Sequence, residues 1–305
     1  MHSCQYMHFG KSFRVLAGFR ADHTRQTLCS FRLAVKEILN LSRPQTQSQE
    51  QEVRLYYRAL FDAWGAQHWW PAETRFEVVV GAYLTQNTAW TNVELALEKL
   101  RAADLLSIEG IRRIRLSRLE RLIRSSGYFR QKAKRLKLFV AFLDTKYNGS
   151  LDQLFAQPTS TLRKELLSLN GVGPETADSI LLYSGNHPVF VVDAYTRRIL
   201  DRHKILPLNT GYEDIRALFE HALAPITREQ ERQPAPLPSH LESRLESDVR
   251  GAAHPPSAMS TTHRTALVQI YNEMHGLIVG VGKYYCRKSQ PKCDGCPLQP
   301  FLPRS

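Results

Sequence analysis

Nowhere do apolar residues run long enough to cross a bilayer. The most apolar stretches, Phe76 to Leu84 and Leu277 to Val281, fall short of the roughly 20 residues that a spanning helix needs. A soluble protein with no membrane partner is expected. The N-terminus lacks the apolar core of a secretory signal, and cysteine is scarce: five in 305 residues, three of them within the last twenty. That distribution excludes the disulfide framework of a small secreted protein and suits ligands in a reducing compartment. The cytoplasm of a bacterium, with the nucleoid, or a nucleus or organelle is the expected location. No internal repeat is present. Acid is in short supply, 29 Asp plus Glu against 41 Lys plus Arg, so the formal charge is +12 and the partner expected is a polyanion, nucleic acid first and an anionic membrane surface second. Met1 to Lys36 carries six basic residues and Asp22 as its single acid, a faint likeness to a transit peptide. This segment is read as an extension of little structural weight or an over-long gene start.

What the chain does have is helical periodicity. Arg43 to Glu52 is polar and Gln-rich, a linker that closes an N-terminal extension over 1–52 expected to be poorly ordered. Leu55, Tyr56, Leu60, Phe61 and Trp64 then recur at helical spacing from Val53. Trp69 and Trp70 precede Pro71, which places them in a loop. An apolar helix opens at Phe76 and runs into T-Q-N-T-A-W, and another follows from Val93 to Leu100. Eleven basic residues lie between Arg112 and Lys137 against the single acid Glu120, chiefly the solvated face of two helices joined by S-G-Y-F-R-Q-K-A-K. That Gly-containing turn, entering a basic helix, can seat a phosphate.

Leu162, Leu166, Leu167 and Leu169 mark one helix, Ile180 to Leu182 lie in a second, and G-V-G-P joins them. Gly171 and Gly173 free the backbone and Pro174 suits a first helical turn, so the pattern reads helix, hairpin, helix. Free N–H groups at such a turn can bind a phosphate, although a plain αα-hairpin gives the same pattern. Gly185, Asn186 and Pro188 stop the second helix, and V-F-V-V carries the chain, extended, to Asp193. Helices follow over Ala194 to Leu200, Leu218 to Leu223 and Ala266 to Tyr284. Residues 228–262, with five prolines and no periodicity, read as a disordered insertion.

Five segments, F-E-V-V-V-G-A-Y-L-T-Q-N-T, G-Y-F-R-Q-K-A, L-N-G-V-G-P-E-T-A-D, V-V-D-A-Y-T-R-R-I-L and C-x6-C-x2-C, together resemble the endonuclease III-like helix-hairpin-helix DNA glycosylase superfamily. The resemblance covers about Val53 to Cys296, the insertion apart. It implies an all-α, two-lobed fold with double-stranded DNA in the cleft: a six-helix barrel over 74–188, a helical domain from 53–73 and 189–285, and a Cys-rich tail over 286–305. It implies phosphate binding by Gly171, Val172 and Gly173, a DNA contact by Lys132, and a gap-filling role for Asn87, which could otherwise make a loop hydrogen bond. It makes Asp193 the catalytic carboxylate. Chemistry agrees, since loss of a base leaves an oxocarbenium-like sugar that a carboxylate stabilises. Asp193 equally suits the N-cap of the helix that follows, and both roles are compatible.

Glu175 stands where bifunctional members of the superfamily carry a Schiff-base lysine, and a carboxylate cannot form an imine. The resemblance thus implies a monofunctional enzyme, with Glu175 either in the pocket or simply an acid in a first helical turn. W-W-P and L-T-Q-N-T-A-W look like the 3-methyladenine branch, which implies that Trp69, Trp70, Pro71 and Trp90 line the base pocket; core packing is their other use. Electron-rich indoles favour a cationic base, and such a base departs without protonation. Glycosylases for oxidised or mismatched bases, and an inactive DNA-binding module, are the rival readings. Cys286, Cys293 and Cys296 match three ligands of the family's [4Fe–4S] loop, but Leu302 occupies the fourth position. Cys4, Cys29 or an outside ligand could complete the set, zinc with three Cys and one His is an alternative, and a relic loop is another. A monomer acting on DNA with a damaged base is expected.

Overall fold

The computed structural model describes residues 47–232 and 254–303; Cys4, Cys29 and the rest of residues 1–46 fall outside them. The described residues are helical, with no strand among them. In order they form α1 (47–64), α2 (Arg75–Leu84), α3 (Trp90–Ala102), α4 (Ile108–Arg113), α5 (Leu116–Leu122), α6 (Phe129–Tyr147), α7 (Leu151–Phe155), α8 (Thr159–Ser168), α9 (Pro174–Ser179), α10 (Ala194–Arg202), α11 (Tyr212–Arg232) and α12 (Ala266–Tyr284). A π-helical turn, Ile180–Ser184, prolongs α9.

Two hydrophobic cores organise these helices. One gathers Phe76, Val79, Val80, Leu100, Phe139, Leu162 and Ile180 from α2 to α9. The other gathers Tyr56, Leu60, Phe190, Leu200, Phe219 and Leu277 from both ends of the chain. Helix α2 feeds both, with Val78 in one core and its neighbours Val79 and Val80 in the other, and Trp90 packs against each. Side-chain caps fix where helices begin: Thr74 accepts from Glu77 N–H at 3.1 Å, and Ser107, Ser150 and Thr265 act likewise.

Three boundaries differ from the sequence reading. Helix α1 starts at 47, inside the expected linker, because Gln and Glu are good helix formers and Gln49 donates to Ile205 O at 2.8 Å. Helix α11 extends to Arg232, well into the expected insertion. Residues 254–262 are packed as well: Met259 is buried and its N–H bonds Ala72 O at 3.0 Å, while Ser257 Oγ accepts from Ala72 N–H. The insertion reading survives only for 233–253, which lie outside the described residues. Val189 to Val192 are extended and buried as expected. They form no sheet because α11 side chains take their donors, Glu220 from Phe190 N–H and the Tyr212 hydroxyl from Val192 N–H. That buried run delivers the chain to Asp193.

Candidate active site and DNA-facing turns

Asp193 caps α10 and is 9 % exposed. Its Oδ1 accepts from Thr196 N–H at 2.7 Å and from the Thr196 hydroxyl at 2.8 Å. The cap therefore engages one carboxylate oxygen, Oδ1, and leaves Oδ2 outside it. His275 of α12 approaches that oxygen, Nε2 to Oδ2 at 3.6 Å. Burial alone would lift the Asp193 carboxyl, but His275 and the Thr196 bonds outweigh it and hold the group below the usual carboxylate range.

Glu175, in the first turn of α9, shares this electrostatic field. Its side chain is exposed at the surface, with protein packed around its carboxyl. Desolvation there, then the negative charge of Asp193, push it up to about 7 against the pull of His275 and Arg197. Two neighbouring carboxyls thus hold opposite protonation tendencies.

Aromatic rings lie beside them. Trp70 is enclosed by Trp90 and Tyr183, with ring centroids at 5.1 and 5.0 Å, while Trp69 meets His254 at 5.6 Å and His275 at 6.2 Å. Both Trp69 and Trp70 are buried, Pro71 and Trp90 half-buried. Gly81 explains how Trp70 enters: a Cβ there would stand 3.3 Å from the indole, so the glycine inside α2 makes room for a ring. The indole N–H groups of Trp69 and Trp70 are buried without a partner. Trp90 Nε1 instead donates to Glu94 at 2.7 Å.

The hairpin turn shows Gly171 at φ +76°, a conformation only glycine adopts without strain. The guanidinium of Arg135 crosses its Cα, and its Nη1 donates to Gln86 Oε1 at 2.8 Å. Gln86 in turn donates to Gly171 O and to the Thr176 hydroxyl, both at 3.0 Å. Gln86 thereby joins the T-Q-N turn to the hairpin, a role its sequence position does not betray. Asn87 next to it is exposed in the left-handed region, φ 53°. Of the three hairpin N–H groups assigned to a phosphate, that of Val172 bonds Leu169 O at 3.1 Å. Those of Gly171 and Gly173 have no protein acceptor among the described residues.

Lys132 requires correction. It is 1 % exposed, and its ammonium donates to Leu84 O at 2.8 Å and Ser126 O at 2.6 Å. Burial, with Arg135 nearby, lowers its pKa to about 8. The basic run disguised it: Lys132 shares the inner face of α6 with Ala133 and Leu136, and ties α2 to the turn before α6 rather than meeting DNA. Lys132→Met is expected to leave two buried carbonyls unmatched and to cost about 1–3 kcal/mol in urea unfolding. The salt dependence of DNA affinity should not change, whereas loss of a true phosphate contact would reduce its slope.

In the tail, Cys286, Cys293, Cys296 and Leu302 line one cavity of about 310 Å³, its open mouth included, together with Arg202 and His203. Arg202 donates to Cys286 Sγ at 3.2 Å, and Arg198 to Cys286 O at 2.6 Å, so α10 carries both Asp193 and this loop. Burial raises the Cys296 thiol, and the other two cysteines add to it. Among the described residues no three His, Cys, Asp or Glu side chains converge on a single metal ion. Leu302 offers no donor.

A family model described as HhH-GPD superfamily base excision DNA repair protein matches residues 80–225. A Methanocaldococcus jannaschii protein, provisionally named a DNA repair glycosylase, is 40 % identical over 247 residues, covering 80 % of this chain and 93 % of that protein. A Helicobacter pylori 3-methyladenine DNA glycosylase, solved with 1,N6-ethenoadenine, is 26 % identical with a TM-score of 0.57, covering 77 % of this chain and 97 % of that one. Endonuclease III trapped covalently on DNA has the same fold at 20 % identity, with a TM-score of 0.58 and coverage of 83 % and 95 %.

Proposed function

Since this chain belongs to the HhH-GPD superfamily and is a DNA repair glycosylase, we propose that it is monofunctional and hydrolyses the N-glycosidic bond of alkylated purines such as 3-methyladenine. The observation that carries this reading is the pairing of Asp193, buried and held ionised, with a carboxylate at 175 in place of an amine nucleophile. The likeness to the Helicobacter pylori enzyme supports the base class. Gly171 and Gly173 hold a phosphate, Asn87 enters the gap left by the extruded base, and Trp69, Trp70, Pro71 and Trp90 surround that base. The bond from C1′ to the base nitrogen breaks with its electron pair leaving on the base. Asp193 Oδ2 stabilises the oxocarbenium-like sugar, water adds at C1′, and the carboxylate accepts the water's proton. An N3-alkylated adenine leaves as a neutral molecule and needs no general acid.

Cys286, Cys293 and Cys296 would hold three irons of a [4Fe–4S] cluster, whose part would be to brace the tail. His203, which lines the same cavity, would be a candidate fourth donor: its Nδ1 faces Phe301 O at 3.3 Å, and burial favours the neutral ring.

The test is release of radiolabelled base from methylated duplex DNA. Release of 3-methyladenine, with no covalent protein–DNA adduct after borohydride, is the expected result. DNA binding without release would leave an inactive module, release from oxidised or mismatched DNA alone would move the substrate class, and a trapped adduct would refute the monofunctional assignment.

A further inference from the structure

The sequence reading found no role for His275, yet it is the side chain that faces the free oxygen of Asp193. It is 5 % exposed and set among rings, with centroids 5.9 Å from Tyr183, 6.2 Å from Trp69 and 6.4 Å from Phe190. Its Nδ1 lies 2.5 Å from the hydroxyl of Tyr183, which is itself fully buried. Its Nε2 has no hydrogen-bond partner and lies 3.6 Å from Asp193 Oδ2. Such a contact is a little long in a free enzyme and can tighten when substrate closes the site.

We propose that His275, fixed by Tyr183, is a positioning residue that donates Nε2–H to Asp193 Oδ2 and so keeps the carboxylate ionised and aimed at the sugar. This deepens the glycosylase reading and rests on it. The tautomer follows from Tyr183. A phenol in so dry a setting stays protonated, because burial lifts it well above its ordinary range, and it donates to Nδ1. The ring proton is then left on Nε2. Thr196 holds Oδ1 and His275 addresses Oδ2, so each carboxylate oxygen has its own donor from a different helix. The arrangement resembles the hydrolytic triads in logic, with the roles of carboxylate and imidazole exchanged: here the imidazole orients and the carboxylate reacts.

Other titratable groups that share the field of Asp193 are Glu175 from α9, Tyr183 from the turn that prolongs it, and Tyr195 from its own helix, with Arg197 acting on Glu175. Glu175 titrates near neutrality, so the measurement is made in a Glu175→Gln background. Carbon-13 NMR of the Asp193 carboxyl across pH reads ionisation in the free protein and needs no substrate. His275→Phe, which keeps the ring volume and removes the donor, should raise the midpoint by at least about one pH unit. A carboxyl raised by that amount is still ionised at neutral pH, so single-turnover base release should fall on the acid side, below about pH 5, and hold at pH 8. His275→Gln, which returns an N–H near the Nε2 position, should recover much of both. An unmoved midpoint in folded His275→Phe overturns the proposal. Should that variant fail to fold, Tyr183→Phe, which deletes one hydroxyl, decides the matter: a raised midpoint supports the relay and an unchanged one refutes it. Failure of the native protein to release alkylated purine would refute the substrate reading and leave the NMR result standing.

Discussion

Asp193→Asn is expected to lower single-turnover base release by about 10²–10³-fold, the scale of losing one preorganised electrostatic group at a reacting centre. Thermal stability should barely change. Asparagine is as good an N-cap as aspartate, and its amide oxygen can still accept from Thr196 N–H and hydroxyl, so α10 begins where it did. The variant thus separates the two uses of the residue. Loss of activity with an unchanged melting temperature assigns Oδ2 to chemistry. Equal losses in activity and stability would mean that the cap is the whole function. The acid limb gives a second check. With its carboxyl depressed, Asp193 remains ionised throughout the range in which Glu175 titrates. A break in the native pH profile near 7 therefore reports Glu175 and should vanish in Glu175→Gln.

The largest expected effect on stability lies elsewhere. Asp178, fully buried on α9, receives two bonds from Arg163 of α8, at 2.7 and 3.0 Å, and Arg163 also donates to Glu213 of α11 at 2.7 Å. This network ties the hairpin's two helices to each other and to α11. Arg163→Ala should cost about 3–5 kcal/mol in chemical denaturation, because it strands a carboxylate in the interior. Burial already raises Asp178 despite its partner, so protonation offers the variant an escape. The sign is then fixed. A carboxyl raised in the folded state is tolerated at low pH, and its ionisation weakens the fold as pH rises through that value. The deficit of Arg163→Ala should therefore be smaller at pH 5 than at pH 8. A loss below about 1 kcal/mol at pH 8 would show that the pair contributes little.

Local features were legible in the sequence. The periodicity that predicts α2, α6 and α12 is the one that buries Val79, Leu136 and Leu277, and the turn chemistry of Gly171 and Pro174 sets the hairpin. Asp193 was legible as the N-cap of α10, the position at which the sequence also placed the candidate carboxylate. What escaped was long-range. Lys132 belongs to a basic run by composition and to a core by geometry, and only the carbonyls of Leu84 and Ser126 tell the two apart. The contact of Trp70 with Gly81 of α2 also escaped, because loops, unlike helices, carry no period that marks an inner face. His275 and Tyr183 meet across 92 residues of chain, and no spacing rule reaches that far.

Gly171 carries a last consequence. Its turn must keep a positive φ, its Cα must pass under the Arg135 side chain, and its carbonyl must receive Gln86. Positions 86, 135 and 171 are therefore coupled through one set of contacts. A side chain at 171 would meet the Arg135 guanidinium and would also hold a strained positive φ, so shortening 135 makes room but does not remove the strain, and it abandons Gln86. Related chains that have drifted at one of the three should be found to have drifted at the others, or to have given up the turn.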